Sequence, residues 1–277
     1  MSLRLALAFL IVALTAVAVG CSPGFDDDEG GGEPEWANAS EAKIRPGVQT
    51  KSPGQCTANF VFYDDDDVYI GQSAHCAGTG GETDTDGCTT SSKPIGSTVT
   101  IEGAKPGTLV YSSWLTMNEA GEKDKETCAY NDFALVKPDP ADEKLVNPSI
   151  PKFGGPNGMG TAPDSSQVFT YGNSELRLGI ELLSPKNGVL VETTPGGWSH
   201  TVYTLTPGIP GDSGSAVLND KGGALGTLST VMFTGKPLSN GVGDLSKELA
   251  YAKSHGFEDL KLADGSEPFR KSLFGIT

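Results

Sequence analysis

Histidine is scarce in this sequence. Only three occur in 277 residues, so any chemistry that needs an imidazole must use His75, His200 or His255. Cations are also few: 20 Lys and Arg stand against 35 Asp and Glu, for a net charge of −15. That balance excludes the basic face a nucleic-acid partner requires. No Cys-x-x-Cys pair occurs, so the spacing of a zinc knuckle is missing. Long apolar runs are absent as well: residues 5–19 hold about 15 apolar positions, against the roughly 20 that a membrane-spanning helix wants.

What is present begins with an address. One early cation, Arg4, precedes the apolar run and small residues follow up to Gly20, so residues 1–20 read as an export signal. Ala18, Val19, Gly20 and Cys21 resemble a bacterial lipobox, in which the cysteine is lipidated and becomes the new N-terminus; an ordinary secretory signal with an incidental Cys21 is the alternative. Residues 21–45 open with CSPGFDDDEGGGEPEW, too polar and Gly-rich to pack, and read as a flexible acidic tether. Cys56, Cys76, Cys88 and Cys128 are an even number behind an export signal, which favours two disulfides in an oxidising compartment. Spacing alone permits three pairings. The cluster Asp64, Asp65, Asp66 and Asp67 reads as a solvated turn between strands, with a calcium site the lesser alternative because spaced oxygen ligands are not evident.

From about residue 49 the chain is a series of short β runs punctuated by Gly, Pro, Asn and Asp, at 58–63, 68–71, 98–101, 108–111 and 133–137. A Pro- and Gly-rich passage follows, and strand signals resume at 168–171, 188–192, 202–206, 215–218 and 224–230. Two β halves with little helix suggest paired barrels or sandwiches, with boundaries at 46–145 and 146–277. One helix is expected near the end, where Asp244 can cap, Leu245, Leu249 and Ala252 share a face, and Gly256 can stop it.

The stretch TPGIPGDSGSAVL sets Asp212 and Ser213 between glycines just before an apolar strand. A tight turn explains it conformationally. Flanking glycines also let a backbone approach a substrate and aim N–H groups at it, as an oxyanion hole requires, but a serine hydroxyl is a poor nucleophile without a base and an orienting acid. Among the histidines, His255 suits a helix C-terminus, and His200 in GGWSHTVYT suits a surface or packing role. His75 in YIGQSAHCAG ends a strand beside a cysteine, which would fix its backbone. Asp132 in CAYNDFALVKP precedes an apolar run, where a carboxylate is costly unless paired.

Taken together, SAHC with His75, NDFALV with Asp132 and GDSGSAV with Ser213 resemble the three signature segments of chymotrypsin-like serine proteases, in that family's chain order. The resemblance implies an all-β fold of two six-stranded antiparallel barrels with a C-terminal helix. It implies Ser213 as nucleophile, His75 as general base and acid, Asp132 as the group orienting the imidazole, and the N–H groups of Gly211 and Ser213 as oxyanion donors. It pairs Cys56 with Cys76, leaving Cys88 for Cys128. The activity implied is a serine endopeptidase acting on protein or peptide substrates with neither metal nor organic cofactor. It would be a monomer outside the cytoplasm, secreted or held at the membrane through lipid on Cys21; a catalytically inactive binding module on the same scaffold is the alternative.

Two features depart from the pattern. The position six residues before the nucleophile, at the base of the family's primary pocket, is Pro207, with no fixed charge for a basic side chain. Ser229 matches the segment that pairs with the substrate backbone and hydrogen-bonds near the acid, but Thr230 and Val231 replace the usual Trp-Gly. The family's animal-type Ile-Val-Gly-Gly end is also missing before Cys56, so Asp212 is expected to be satisfied by internal donors.

Overall fold

A computed structural model describes residues 32–81, 84–232 and 235–271. The export signal and Cys21 lie outside the described residues. The first strands are β1 (Gln49–Lys51), β2 (Gln55–Thr57), β3 (Val61–Tyr63) and β4 (Val68–Gln72), followed by β5 (Thr98–Ile101) and β6 (Gly107–Ser112). Two short helices, α1 (Ser113–Ala120) and α2 (Lys125–Tyr130), lead into β7 (Ala134–Lys137). These strands form an antiparallel sheet in the order β3-β4-β7-β6-β5-β1-β2. Residues 58–60 join β2 directly to β3, and their backbone bonds both sides, Ala58 N–H to the Val48 carbonyl at 2.9 Å and Asn59 N–H to the Gly71 carbonyl at 2.8 Å, so the sheet curls into a half-barrel.

The second half contains β8 (Gln167–Tyr171), β9 (Pro185–Thr193), β10 (Ser199–Leu205), β11 (Ala216–Asn219), β12 (Ala224–Val231) and β13 (Asn240–Asp244). They close as a barrel in the order β10-β13-β12-β11-β8-β9. The two-barrel all-β architecture expected from the resemblance is therefore the observed one. The helix α3 (Leu245–Lys253) follows, its N-terminus capped by Asp244, whose carboxylate accepts the Lys247 N–H at 3.0 Å. After α3 the chain returns to the first sheet, where β14 (Lys261–Leu262) pairs with β3.

Three findings correct the sequence reading. The expected tether ends well before residue 45: Trp36 packs edge-on against Tyr63, and Ile44 is fully buried and bridged to Val146. An aromatic and a branched aliphatic side chain at these positions gain more by burial than a solvated tether offers. Helices α1 and α2 were not foreseen, because each is short and held by a local device. Gly121 closes α1 in the left-handed conformation, and the Asp124 carboxylate caps α2 by accepting the Thr127 N–H. Finally, β13 reads NGVGD, whose glycines hide a strand on which both neighbours pack closely; a Cβ at Gly243 would fall 2.3 Å from Glu248 Oε1.

The core between the halves draws on both. Phe62 and Phe133 meet edge to face with ring centroids 5.3 Å apart, and Phe153 meets Phe169 at 5.6 Å, geometry worth on the order of 1 kcal/mol per pair beyond area burial. Leu218, Leu245 and Leu249 complete the same cluster. Phe133, Ala134, Leu135 and Val136 are all fully buried, which anchors the strand that begins two residues after Asp132. The disulfides join Cys56 to Cys76 and Cys88 to Cys128. Asp65 and Asp67 of the acidic turn pair with Lys261 and Lys137, and Asp64 accepts the Tyr69 hydroxyl at 2.7 Å.

Candidate active site

His75 lies in a 3-10 turn, Ala74–Ala77, pinned by the Cys56–Cys76 bridge at its next residue. Its partner is Asp132. The His75 backbone N–H donates to Asp132 Oδ1 at 2.8 Å, and His75 Nδ1 lies 2.7 Å from Asp132 Oδ2. The Ala74 N–H donates to the Asp132 carbonyl at 3.2 Å, so main chain and side chain of the acid both grip the turn. Ser229 Oγ donates to Asp132 Oδ2 at 2.5 Å. Asp132 is buried at 4% exposure and still accepts three donors, which satisfies an otherwise costly carboxylate.

The electrostatics follow from that pairing. Burial works to lower the His75 pKa, but the Asp132 charge and its hydrogen bond outweigh it and hold the imidazole above its ordinary value. Burial works to raise Asp132, and the His75 charge, its hydrogen bonds and that of Ser229 bring it below the ordinary carboxylate value.

Ser213 sits on the adjoining turn. Its carbonyl accepts the Thr57 N–H at 2.8 Å. The next residue, Gly214, presses on the strand that leads to His75: with φ +88°, a Cβ there would lie 2.4 Å from the Thr57 carbonyl oxygen and 3.1 Å from the Ser73 nitrogen. No hydrogen bond joins the Ser213 hydroxyl to His75 Nε2 among the described residues, and neither atom has another partner there. Catalytic hydrogen bonds are often long before substrate binds and tighten in the complex.

The backbone of this turn divides sharply. The N–H groups of Gly208, Ile209, Asp212, Gly214 and Ser215 all have acceptors within the chain. Those of Gly211 and Ser213 have none among the described residues. Gly211 takes φ +92°, its carbonyl accepts Thr57 Oγ1 at 2.8 Å and Gln55 Nε2 at 3.2 Å, and a Cβ at this position would fall 2.0 Å from Gln55 Oε1. The turn is thus held from behind by β2 while two of its N–H groups stay unspent.

Asp212 beneath the turn is fully buried. Arg177 Nη2 donates to its Oδ2 at 2.5 Å and Arg177 Nε to its Oδ1 at 3.4 Å, Lys186 Nζ lies 3.3 Å from Oδ2, and the N–H groups of Ser174 and Ile209 complete the set at 3.2 and 3.1 Å. Internal donors therefore satisfy it, as expected. Burial raises the Asp212 pKa, but the Lys186 charge and the Arg177 bonds bring it below the ordinary value. Sequence reading missed both cations.

Pro207 lines a cavity of about 260 Å³ with Leu183, Ile209, Val231 and Leu238. Arg177 also reaches it, but its guanidinium is committed to Asp212, the Pro207 carbonyl and Thr206 Oγ1. Of the other histidines, His200 is buried between Thr193 Oγ1 at 2.9 Å and Asp244 Oδ2 at 3.0 Å, and His255 stacks on Tyr251 at the surface. Among the described residues no helix is long and apolar enough to cross a membrane.

No protein-family model and no curated protein matches the sequence. Solved structures do match in fold. Protease A of Thermobifida fusca is 16% identical, with 81% of this chain and 100% of that chain covered and a TM-score of 0.52. A glutamic-acid-specific serine protease is 13% identical, with coverage of 79% and 100% and a TM-score of 0.50. A Glu endopeptidase is 15% identical, with coverage of 79% and 95% and a TM-score of 0.50. At such identities the shared property is the fold, the two-barrel scaffold of bacterial chymotrypsin-like serine proteases.

Proposed function

We propose that the chain is a serine endopeptidase acting through Ser213, His75 and Asp132, exported from the cytoplasm and either tethered by lipid on Cys21 or secreted. The observation that carries this reading is the pairing of a hydrogen-bonded His75–Asp132–Ser229 array with two unpaired N–H groups, at Gly211 and Ser213, on a turn braced against the His75 loop. The similar folds belong to serine proteases, which supports protein or peptide substrates.

In this mechanism Ser213 Oγ attacks the scissile carbonyl as its proton passes to His75 Nε2. Asp132 holds Nδ1–H and stabilises the imidazolium. The new oxyanion is received by the Gly211 and Ser213 N–H groups, each worth on the order of 3 kcal/mol of transition-state stabilisation. His75 then gives its proton to the departing amine, the C–N bond breaks, and an acyl-Ser213 ester remains. Water, deprotonated by His75, hydrolyses that ester and returns the hydroxyl. No metal or organic cofactor takes part. The apolar cavity at Pro207, Ile209, Val231 and Leu238 would receive the side chain before the cleaved bond.

A fluorophosphonate probe tests the assignment. Labelling of the wild-type chain, abolished in Ser213→Ala, is the expected result. The free Ser213 hydroxyl also suits a binding module that has lost activity, and equal labelling of the two proteins, or none in folded wild type, would establish that reading instead.

A further inference from the structure

Behind the acid stands a second carboxyl group that the mechanism leaves unused. Glu248, in the first turn of α3, is fully buried. Its Oε1 accepts the backbone N–H of Asp132 at 3.3 Å and its Oε2 accepts Thr227 Oγ1 at 3.0 Å. Thr227 Oγ1 in turn accepts Asn59 Nδ2 at 3.3 Å, which ties the group to the link between β2 and β3. Space for the carboxyl is made by Gly243, since any Cβ there would fall 2.3 Å from Oε1.

No cation compensates this group. Glu248 takes part in no ion pair among the described residues. Its neighbour Lys247 points away, with Nζ over the Trp198 ring at 5.5 Å from the centroid. The ionisable groups that do face it are Asp132 at the head of β7, Asp244 at the end of β13 and Tyr111 on β6. Two of these are carboxylates engaged with histidines, Asp132 with His75 and Asp244 with His200. A third ionised carboxylate here would be buried, unpaired and beside like charges.

We propose that Glu248 is a positioning residue: a carboxylic acid that keeps its proton at neutral pH, shared between Oε2 and Thr227 Oγ1 3.0 Å away, and braces the main chain of Asp132 from α3 through Oε1, so that the acid facing His75 is fixed without a competing negative charge. Burial, then the Asp132 charge, push its pKa well above the ordinary carboxylate value and outweigh the bonds from Thr227 and the Asp132 N–H, which act to lower it. The bracing role rests on the proteolytic reading above; the protonation state does not.

Two measurements on the folded chain test it without requiring activity. Infrared spectroscopy at pH 7 should show a protonated-carboxyl band in the wild type that disappears in Glu248→Gln. Titration of His75 by NMR, tractable with three histidines, should give the same His75 pKa in wild type and Glu248→Gln, because an amide replaces a neutral acid. Absence of the band, or a fall in the His75 pKa on the order of one unit in Glu248→Gln, would mean the wild-type group is ionised and would overturn the proposal. The bracing role is read from kinetics. Glu248→Leu, which leaves the Asp132 N–H without an acceptor, should lower kcat about 10-fold with KM little changed. Glu248→Gln should restore most of it. Equal kcat in wild type and Glu248→Leu would overturn that role, whereas a wild type that neither cleaves nor labels counts against the proteolytic reading alone.

Discussion

Arg177 and Asp212 form a buried ion pair directly beneath the turn that carries Ser213, with Arg177 also bonded to the Pro207 carbonyl at 3.2 Å. One guanidinium therefore ties the acid below the nucleophile to the wall of the adjoining cavity. A compact ammonium could not span both, whereas the planar fork can.

Lys186 contributes to the same acid in a different way. It is fully buried, and burial pushes its pKa down to about 8 despite the attraction of Asp212. A lysine whose folded pKa lies below its unfolded value binds its proton more weakly in the folded chain, so stability should rise between pH 8 and about 10.4. We expect Arg177→Met to lower stability by about 3 kcal/mol and to abolish fluorophosphonate labelling, since an uncompensated part of the Asp212 charge is left buried. Lys186→Met should be neutral or stabilising at pH 7 and should remove the alkaline rise. Urea unfolding across pH 7 to 10.5 measures both; equal losses in the two variants would contradict the unequal roles.

Much of the candidate site was legible because its chemistry demands rare residue types in short, recognisable surroundings. His75 stood beside a cysteine, Asp132 before an apolar strand, and Ser213 between glycines. Arg177 and Lys186 were not legible. They lie in ELRLGIELL and SPKNGVLV, where nothing local separates a buried cation from a solvated one, and only the closure of the second barrel brings them to Asp212. Glu248 did leave a trace. It falls on the stripe formed by Leu245, Leu249 and Ala252, where a charged side chain conflicts with the helical period. The missed strand β13 shows the opposite failure, since glycines chosen for close approach erase the alternation that marks a strand.

Ser229 offers a second prediction. Its hydroxyl is one of three donors to Asp132 and bonds Oδ2, the same oxygen that pairs with His75 Nδ1, with no bond to the imidazole itself. A hydrogen bond to a buried charged group contributes about 1.5–3 kcal/mol. Ser229→Ala should therefore lower kcat by roughly 10-fold or more while leaving the fold intact. Steady-state kinetics on a small ester substrate measures this, and an unchanged kcat would remove Ser229 from the site.

The cavity beside Pro207 predicts specificity. Its walls are the side chains of Leu183, Ile209, Val231 and Leu238, and the one cation among the described residues that reaches it is consumed by Asp212. Burying a methylene contributes about 0.8 kcal/mol, so a leucine or methionine in this cavity should be favoured over alanine by 10-fold or more in kcat/KM. Arginine and lysine should be poor, for among the described residues no carboxylate lines it. A peptide library profiled by cleavage site decides the matter; a preference for glutamate would show that Arg177 is shared with substrate after all.

The pH profile follows from the His75–Asp132 pair. Asp132 holds the His75 pKa above the ordinary imidazole value of about 6.5. Catalysis needs the neutral base, so kcat/KM should climb through that raised pKa and its midpoint should lie on the alkaline side of 6.5. The stability contribution has the opposite sense. A raised folded pKa means the folded chain binds the proton more tightly, so the pairing stabilises fully below the unfolded pKa and is lost as pH rises through the folded one. The protein should therefore be most active where this part of its stability has gone. Asp132→Asn should remove both effects together, dropping kcat by about 10⁴ if the residue orients the imidazole as the Ser-His-Asp template requires. A rate independent of pH between 5 and 8 in the wild type would exclude His75 as the base.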